Sequence, residues 1–219
     1  MKLRFTSVDI DDLFLAWSKA SRGLPKATEL VHGDLKLDFQ WWPEACQSHK
    51  GFVKVDEFAE AKTGAGSKLC SIADTAAGRC KGSKDSYAVA DEIEKDALEA
   101  LAVAEKITAE PNTDLGVTIN SIRNMSHLTL YYAHKIRAAT HLKANKKDNA
   151  RDALGTAYQW WIKYSSKMDS MFTGMTMQRS NELPDWHTHD AAVLKEYTDL
   201  GGILPYPTSE SLTVSSFVC

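Results

Sequence analysis

The sequence predicts an all-α protein, an antiparallel helical bundle preceded by an irregular N-terminal part. Three observations carry this. Apolar residues recur at helical spacing over long windows, a short polar connector joins the two longest of them, and no strand-like alternation runs beyond about four residues. Residues 1–85 read as an irregular, short-helix region leaning on a bundle at 86–202, with a Ser/Thr/Pro-rich, loosely ordered tail at 203–219.

The elements follow in chain order. Ile10, Leu13, Phe14 and Trp17 fall at i, i+3, i+4 and i+7, so a helix over 9–21 buries them on one face. Gly23 and Pro25 then end it. Residues 29–52 are irregular and aromatic. Short helices are expected at 55–61 and 72–78, around the flexible loop 63–67, and residues 82–85 form a polar break. From Ser86 the spacing of Ala90, Ile93, Ala97, Leu101, Ala104 and Ile107 predicts a helix of more than five turns. Pro111 and Asn112 separate it from a long helix over 114–143. The polar connector 144–148 leads to another over 149–172, and so short a link favours an antiparallel pair. A last helix over 188–200 is stopped by Gly201-Gly202 and then Pro205 and Pro207.

Composition narrows the function. There are 26 Lys+Arg against 29 Asp+Glu, a net charge of −3, which speaks against nucleic-acid binding through bulk positive charge. No apolar run reaches the roughly 18–20 residues that cross a bilayer, so no membrane partner is expected. Residues 1–12 lack the apolar stretch of a secretory signal. The four cysteines, Cys46, Cys70, Cys80 and Cys219, are widely spaced without C-x-x-C, and all four are expected as free thiols.

The aromatic inventory demands explanation. Six Trp and seven Tyr include three doublets: Trp41-Trp42, Tyr131-Tyr132 and Trp160-Trp161. The last two fall within long helices, where core packing accounts for them. Adjacent residues diverge by about 100°, which puts one of Trp160 and Trp161 in the core and the other at its edge. Trp41-Trp42 lies in the densest chemical segment, Asp38-Phe39-Gln40-Trp41-Trp42-Pro43-Glu44-Ala45-Cys46. Indole faces stack on sugar rings while amides and carboxylates bind hydroxyls, so Gln40, Trp41 and Trp42 are candidate saccharide-binding residues. Glu44 and, behind it, Asp38 are candidate catalytic acids, Glu44 with a carboxyl raised by the neighbouring indole. The competing reading makes Trp41 and Trp42 core anchors and Glu44 a helix cap. A hydrolase needs a second carboxylate, for which Asp38, Glu29 and Asp185 are available.

Two histidine patterns remain. In His187-x-His189-Asp190 a metal site lacks an assignable third ligand, and Asp185 or Asp190 reads more simply as a helix cap. His127, His134 and His141 recur every seven residues beside Lys135, Arg137 and Lys143, which predicts a solvated, mildly basic helix face. No cofactor or metal is expected.

Three stretches, Phe39-Gln40-Trp41-Trp42-Pro43-Glu44-Ala45-Cys46 with residues 51–58, Tyr131-Tyr132-Ala133-His134-Lys135-Ile136-Arg137-Ala138-Ala139, and Ala153-Leu154 to Tyr164, together resemble the C-terminal helical region of large bacterial α-glucuronidase-like glycoside hydrolases. The resemblance spans roughly residues 10–200 and implies an all-α appendage to a (β/α)8 catalytic barrel. Such a barrel takes about 250 residues by itself, so its catalytic acids would lie outside this chain. The tail after Pro205 departs from the pattern. The resemblance implies a helical domain derived from a carbohydrate-active protein, touching saccharide through the Trp41–Glu44 loop, with saccharide or a catalytic domain as partner and a secreted or periplasmic parent. The alternatives are a non-catalytic helical interaction or structural module and, third, a metal-dependent hydrolase using His187 and His189.

Overall fold

A computed structural model describes residues 10–31, 41–48, 51–64, 66–171 and 186–203. It is mostly helical. The elements are α1 (Ile10–Ala20), α2 (Gly23–Val31), β1 (Trp41–Trp42), a 3-10 turn (Pro43–Ala45), β2 (Gln47–Ser48), β3 (Gly51–Phe52), α3 (Val55–Glu60), α4 (Ile72–Ala76), α5 (Ser86–Ala104), α6 (Asp114–Lys143), α7 (Lys147–Met171) and α8 (Trp186–Asp199). The three two-residue strands form an antiparallel sheet in the order β1-β2-β3, and each is too short for alternation to reveal it.

The long helices begin where their caps dictate. Asp85 accepts from the Ala88 amide at the start of α5, and Thr113 accepts from the Gly116 amide at the start of α6. Asn145, in the left-handed region at φ 58°, turns the chain between α6 and α7. Helix α6 is the axis of the molecule, and α1 to α5 and α7 all pack on it.

One large apolar core joins α2, α3, α5, α6, α7 and α8, through Leu30, Phe58, Ile93, Tyr131, Trp161 and Val193 among others. It runs across the polar break at 82–85. A second core, of Leu13, Ala16, Ala20, Ala100, Ala104, Ile119 and Ile122, seats α1 on α5 and α6.

Four expectations are corrected here. Helix α1 keeps Ile10 and Leu13 toward the core as expected, but completes that face with Ala16 and Ala20 and turns Phe14 (61% exposed) and Trp17 (38%) outward. The alanines let α1 lie close on the equally alanine-rich α5. Gly23 and Pro25 do not end a helix but open α2. Pro25 sits in the first turn, where its missing N–H costs nothing. Gly23 is required because a Cβ there would lie 2.1 Å from Thr129 Oγ1 on α6. The supposed basic face of α6 is a set of contacts between elements. Lys135 is fully buried, Arg137 pairs with Asp91 and Glu94, His134 with Glu94, Lys143 with Glu60, and His141 with the Tyr87 hydroxyl. Finally, Cys70 and Cys80 form a disulfide, with Cα atoms 5.6 Å apart, and of the other two cysteines Cys46 is free and buried. Sparse spacing in sequence hid a ten-residue loop that folds back around α4. Cys219 lies outside the described residues, as does the tail apart from Ile203.

The disulfide closes a loop that carries only one short helix, so its chain-entropy contribution falls at the lower end of the usual range. The Cys70→Ser/Cys80→Ser protein should lose about 2–3 kcal/mol of unfolding free energy in urea titration, and a reductant should then have no further effect on it.

Candidate functional site

The Trp41–Cys46 segment is a ledge bolted to the bundle by aromatic tips. Pro43 opens the 3-10 turn with its fixed φ, and Cys46 closes it in the left-handed region at φ 49°. The Tyr132 hydroxyl donates to the Pro43 carbonyl at 2.6 Å. The Tyr164 hydroxyl (2.8 Å) and the Trp186 indole N–H (3.1 Å) both donate to the Glu44 carbonyl. Residues from α6, α7 and α8 thus converge on two successive carbonyls. Val53 N–H donates to the Cys46 carbonyl and ties the far end of the ledge down. Burial pushes the Cys46 thiol up, so the sulfur is a packed, protonated group rather than a nucleophile.

The ledge separates its own residues by role. Trp41 is half-buried, donates from Nε1 to Thr28 Oγ1 at 3.3 Å and meets the Tyr132 ring edge-on, centroids 6.5 Å apart. It is a packing residue at the rim of the core. Trp42 is half-buried. Glu44 has its carbonyl pinned and its side chain exposed. Asp38 and Gln40 lie outside the described residues, as does Asp185. Glu29 is on α2, where it accepts from Ser67 Oγ and does not line the cleft beside Glu44.

That cleft has a volume of about 330 Å3 and is mainly apolar. Trp17, Leu24, Glu44, Asn124, Tyr164 and Met168 contribute to its walls. Glu44 is the one acid among the described residues that line it. Sequence patterning does not reveal Trp17, Asn124 or Tyr164 as wall residues. The bulk of Trp17 points it to the core, but the Leu13-Ala16-Ala20 stripe takes that face of α1. Nothing local in the sequence marks Asn124 or Tyr164.

The other doublets divide as expected. Tyr131 and Tyr132 are both buried, ring centroids 5.1 Å apart. Trp161 is buried and donates from its indole to Asp190 Oδ1 at 2.7 Å, while Trp160 is at the core edge. Asp190 is therefore an acceptor within α8 and not a cap at its start. Its other oxygen bonds His187 Nδ1 at 2.8 Å, whereas His189 Nε2 bonds Gln47 Oε1 at 2.8 Å, so the two histidines serve separate contacts. Among the described residues no three His, Cys, Asp or Glu side chains form a metal-binding set.

A second, shallower groove of about 790 Å3 runs beside the disulfide and is lined by Lys62, Ser67, Ser71, Asp74, Arg79 and Lys81 among others. Its Asp74 and Arg79 are paired at 2.7 Å.

No family model, curated protein or solved structure matches this chain.

His127 stacks on Trp160, centroids 5.7 Å apart, and is held down at about 4 by burial, with Lys163, Arg123 and Lys167 adding repulsion. An imidazole with a folded pKa below its unfolded one binds fewer protons when folded, so stability rises with pH between about 4 and 6.5. The wild type should accordingly lose up to about 3 kcal/mol more than His127→Gln as pH falls through that window, read from urea midpoints at each pH.

Proposed function

We propose that this chain is a non-catalytic helical module of a carbohydrate-active protein that seats one saccharide ring in the cleft between Trp17 and Glu44. One observation carries the reading. A partly exposed indole and an exposed carboxylate flank the same cleft, at a volume suited to a small ligand, on walls fixed by rigid helices and the pinned ledge. Trp17 offers a face to the C–H side of a sugar, and Glu44 and Asn124 accept or donate to its hydroxyls. Glycoside hydrolysis takes two carboxyl groups about 5 to 9.5 Å apart, and Glu44 has no acidic partner among the described lining residues. Binding rather than cleavage is the chemistry this supports. The resemblance to the helical region of α-glucuronidase-like hydrolases supports the same class. So does the disulfide, which suits an oxidising, extracytoplasmic setting.

A second reading, an interaction module that meets a catalytic domain, is favoured by α1. Phe14 and Leu15 (49% exposed) extend the apolar surface outward from Trp17.

Titration with a panel of neutral and acidic oligosaccharides, followed by tryptophan fluorescence and calorimetry, separates the two. Saturable binding should appear, with Trp17→Ala weakening it about tenfold or more and Glu44→Gln about three- to tenfold, at unchanged thermal stability. Absence of any glycan response, or equal affinity in the wild type and Trp17→Ala, removes the saccharide reading and leaves the interaction module.

A further inference from the structure

The cleft beside Glu44 carries charge of one sign. Among the described residues that line it, Glu44 is the one with a charged side chain, and no lysine, arginine or histidine shares the walls. The bonds that Tyr164 and Trp186 make to Glu44 go to its backbone carbonyl. Its exposed carboxylate has no ion-pair or hydrogen-bond partner among the described residues. The two aromatic residues of the walls, Trp17 and Tyr164, have ring faces of the same negative sign. Tyr164 adds no positive group, and burial together with the Glu44 charge pushes its hydroxyl further up, so it stays neutral.

The walls are also short of hydrogen-bond donors. The Ser121 hydroxyl donates to the Val117 carbonyl within α6 at 2.9 Å, and the Tyr164 hydroxyl donates to the Glu44 carbonyl at 2.8 Å. Each hydroxyl has one proton, so neither is left to donate to a ligand. Leu24, Met125, Leu128 and Met168 make much of the remaining wall apolar. A ligand that matches this cleft brings its own donors and the opposite charge, on a body with an apolar face. An anionic ligand would set a like charge against Glu44 beside walls that screen it poorly.

We propose that the ring seated in this cleft is that of an amino sugar whose free amine, protonated, pairs with the Glu44 carboxylate while its C–H face rests on Trp17. The inference rests on the saccharide reading above and adds to it the charge of the ligand. A sugar ammonium unites a positive charge with three donors in one small group, and Glu44 is a pure acceptor. N-acetylation removes the charge and leaves one donor of the three. A neutral hydroxyl in the same place keeps one donor and no charge. A uronic acid has the wrong sign.

The experiment compares the methyl glycosides of glucosamine, N-acetylglucosamine, glucose and glucuronic acid, which keep one ring and change one substituent. Each is titrated into the full chain at about pH 6, where the amine is an ammonium and the uronic acid a carboxylate, and binding is read from the indole N–H signals by NMR. The glucosaminide should bind about three- to fivefold tighter than the glucoside, and the glucuronide should bind weakest. That preference should vanish at about pH 9.5, where the amine is neutral, and it should vanish in Glu44→Gln. In Glu44→Lys the order should reverse, with the glucuronide ahead of the glucosaminide. Both substitutions alter an exposed side chain and spare the carbonyl that pins the ledge, so the fold is kept. Equal affinities for the four sugars, a preference for the N-acetyl or uronic ligand, or an amine preference that survives in Glu44→Gln overturns the amino-sugar inference and leaves the saccharide reading standing. No response to any of the four sugars overturns both.

Discussion

The buried ion pair of Lys135 and Glu196 is the constraint around which the rest is arranged. Lys135 has no exposed side-chain surface and Glu196 only 6%. Two charges removed from water are costly unless every hydrogen-bonding site is met. Here Lys135 Nζ reaches both carboxylate oxygens, at 3.0 and 2.8 Å, and lies 4.3 Å from the Phe52 ring centroid. The carboxylate also accepts from the Val55 amide at the start of α3. Burial raises the Glu196 carboxyl above the ordinary range, and the lysine charge and the Val55 N–H pull against that rise. One carboxylate on α8 therefore locks α6, α3 and, through Phe52, β3 into a single register.

That register places the ledge. Helices α6, α7 and α8 each send one aromatic polar tip to the carbonyls of Pro43 and Glu44, and these three tips meet only if α8 is seated correctly on α6. Trp186, which supplies one of them, is on the helix that Glu196 anchors. The exposure of the Glu44 side chain is a consequence of its carbonyl being held inward. The pinned ledge and the helices thus hold Glu44, Trp17 and Tyr164 in the walls of one cleft.

Much of the fold was legible because it is written in local rules. The start of α6 at Asp114 and its end at Lys143 follow from the Pro111-Asn112 break and the polar connector, and the division of Trp160 from Trp161 follows from helix geometry alone. What escaped the sequence depends on distant partners. Gly23 reads as a stop until Thr129, more than a hundred positions later, is seen to need its missing side chain. Lys135 reads as solvated because nothing nearby announces Glu196. The stripe of α1 keeps Ile10 and Leu13 on the core but replaces Phe14 and Trp17 with Ala16 and Ala20, because alanines pack as effectively as large side chains when the opposite helix is also small. At the candidate site, Glu44 stood out in the sequence by its aromatic neighbourhood. The indole that shares its cleft is that of Trp17, from another helix, and not the adjacent Trp41, whose N–H is committed to Thr28.

A double-mutant cycle on Lys135→Met and Glu196→Gln tests the central constraint most directly. Each single change leaves a buried polar partner stranded and should cost about 3–5 kcal/mol by urea unfolding. The double variant should cost much less than the two together, and the coupling should be about 2 kcal/mol or more. Costs that simply add would show that the two side chains stabilise the fold independently, and the ledge would then owe its position to something other than this pair.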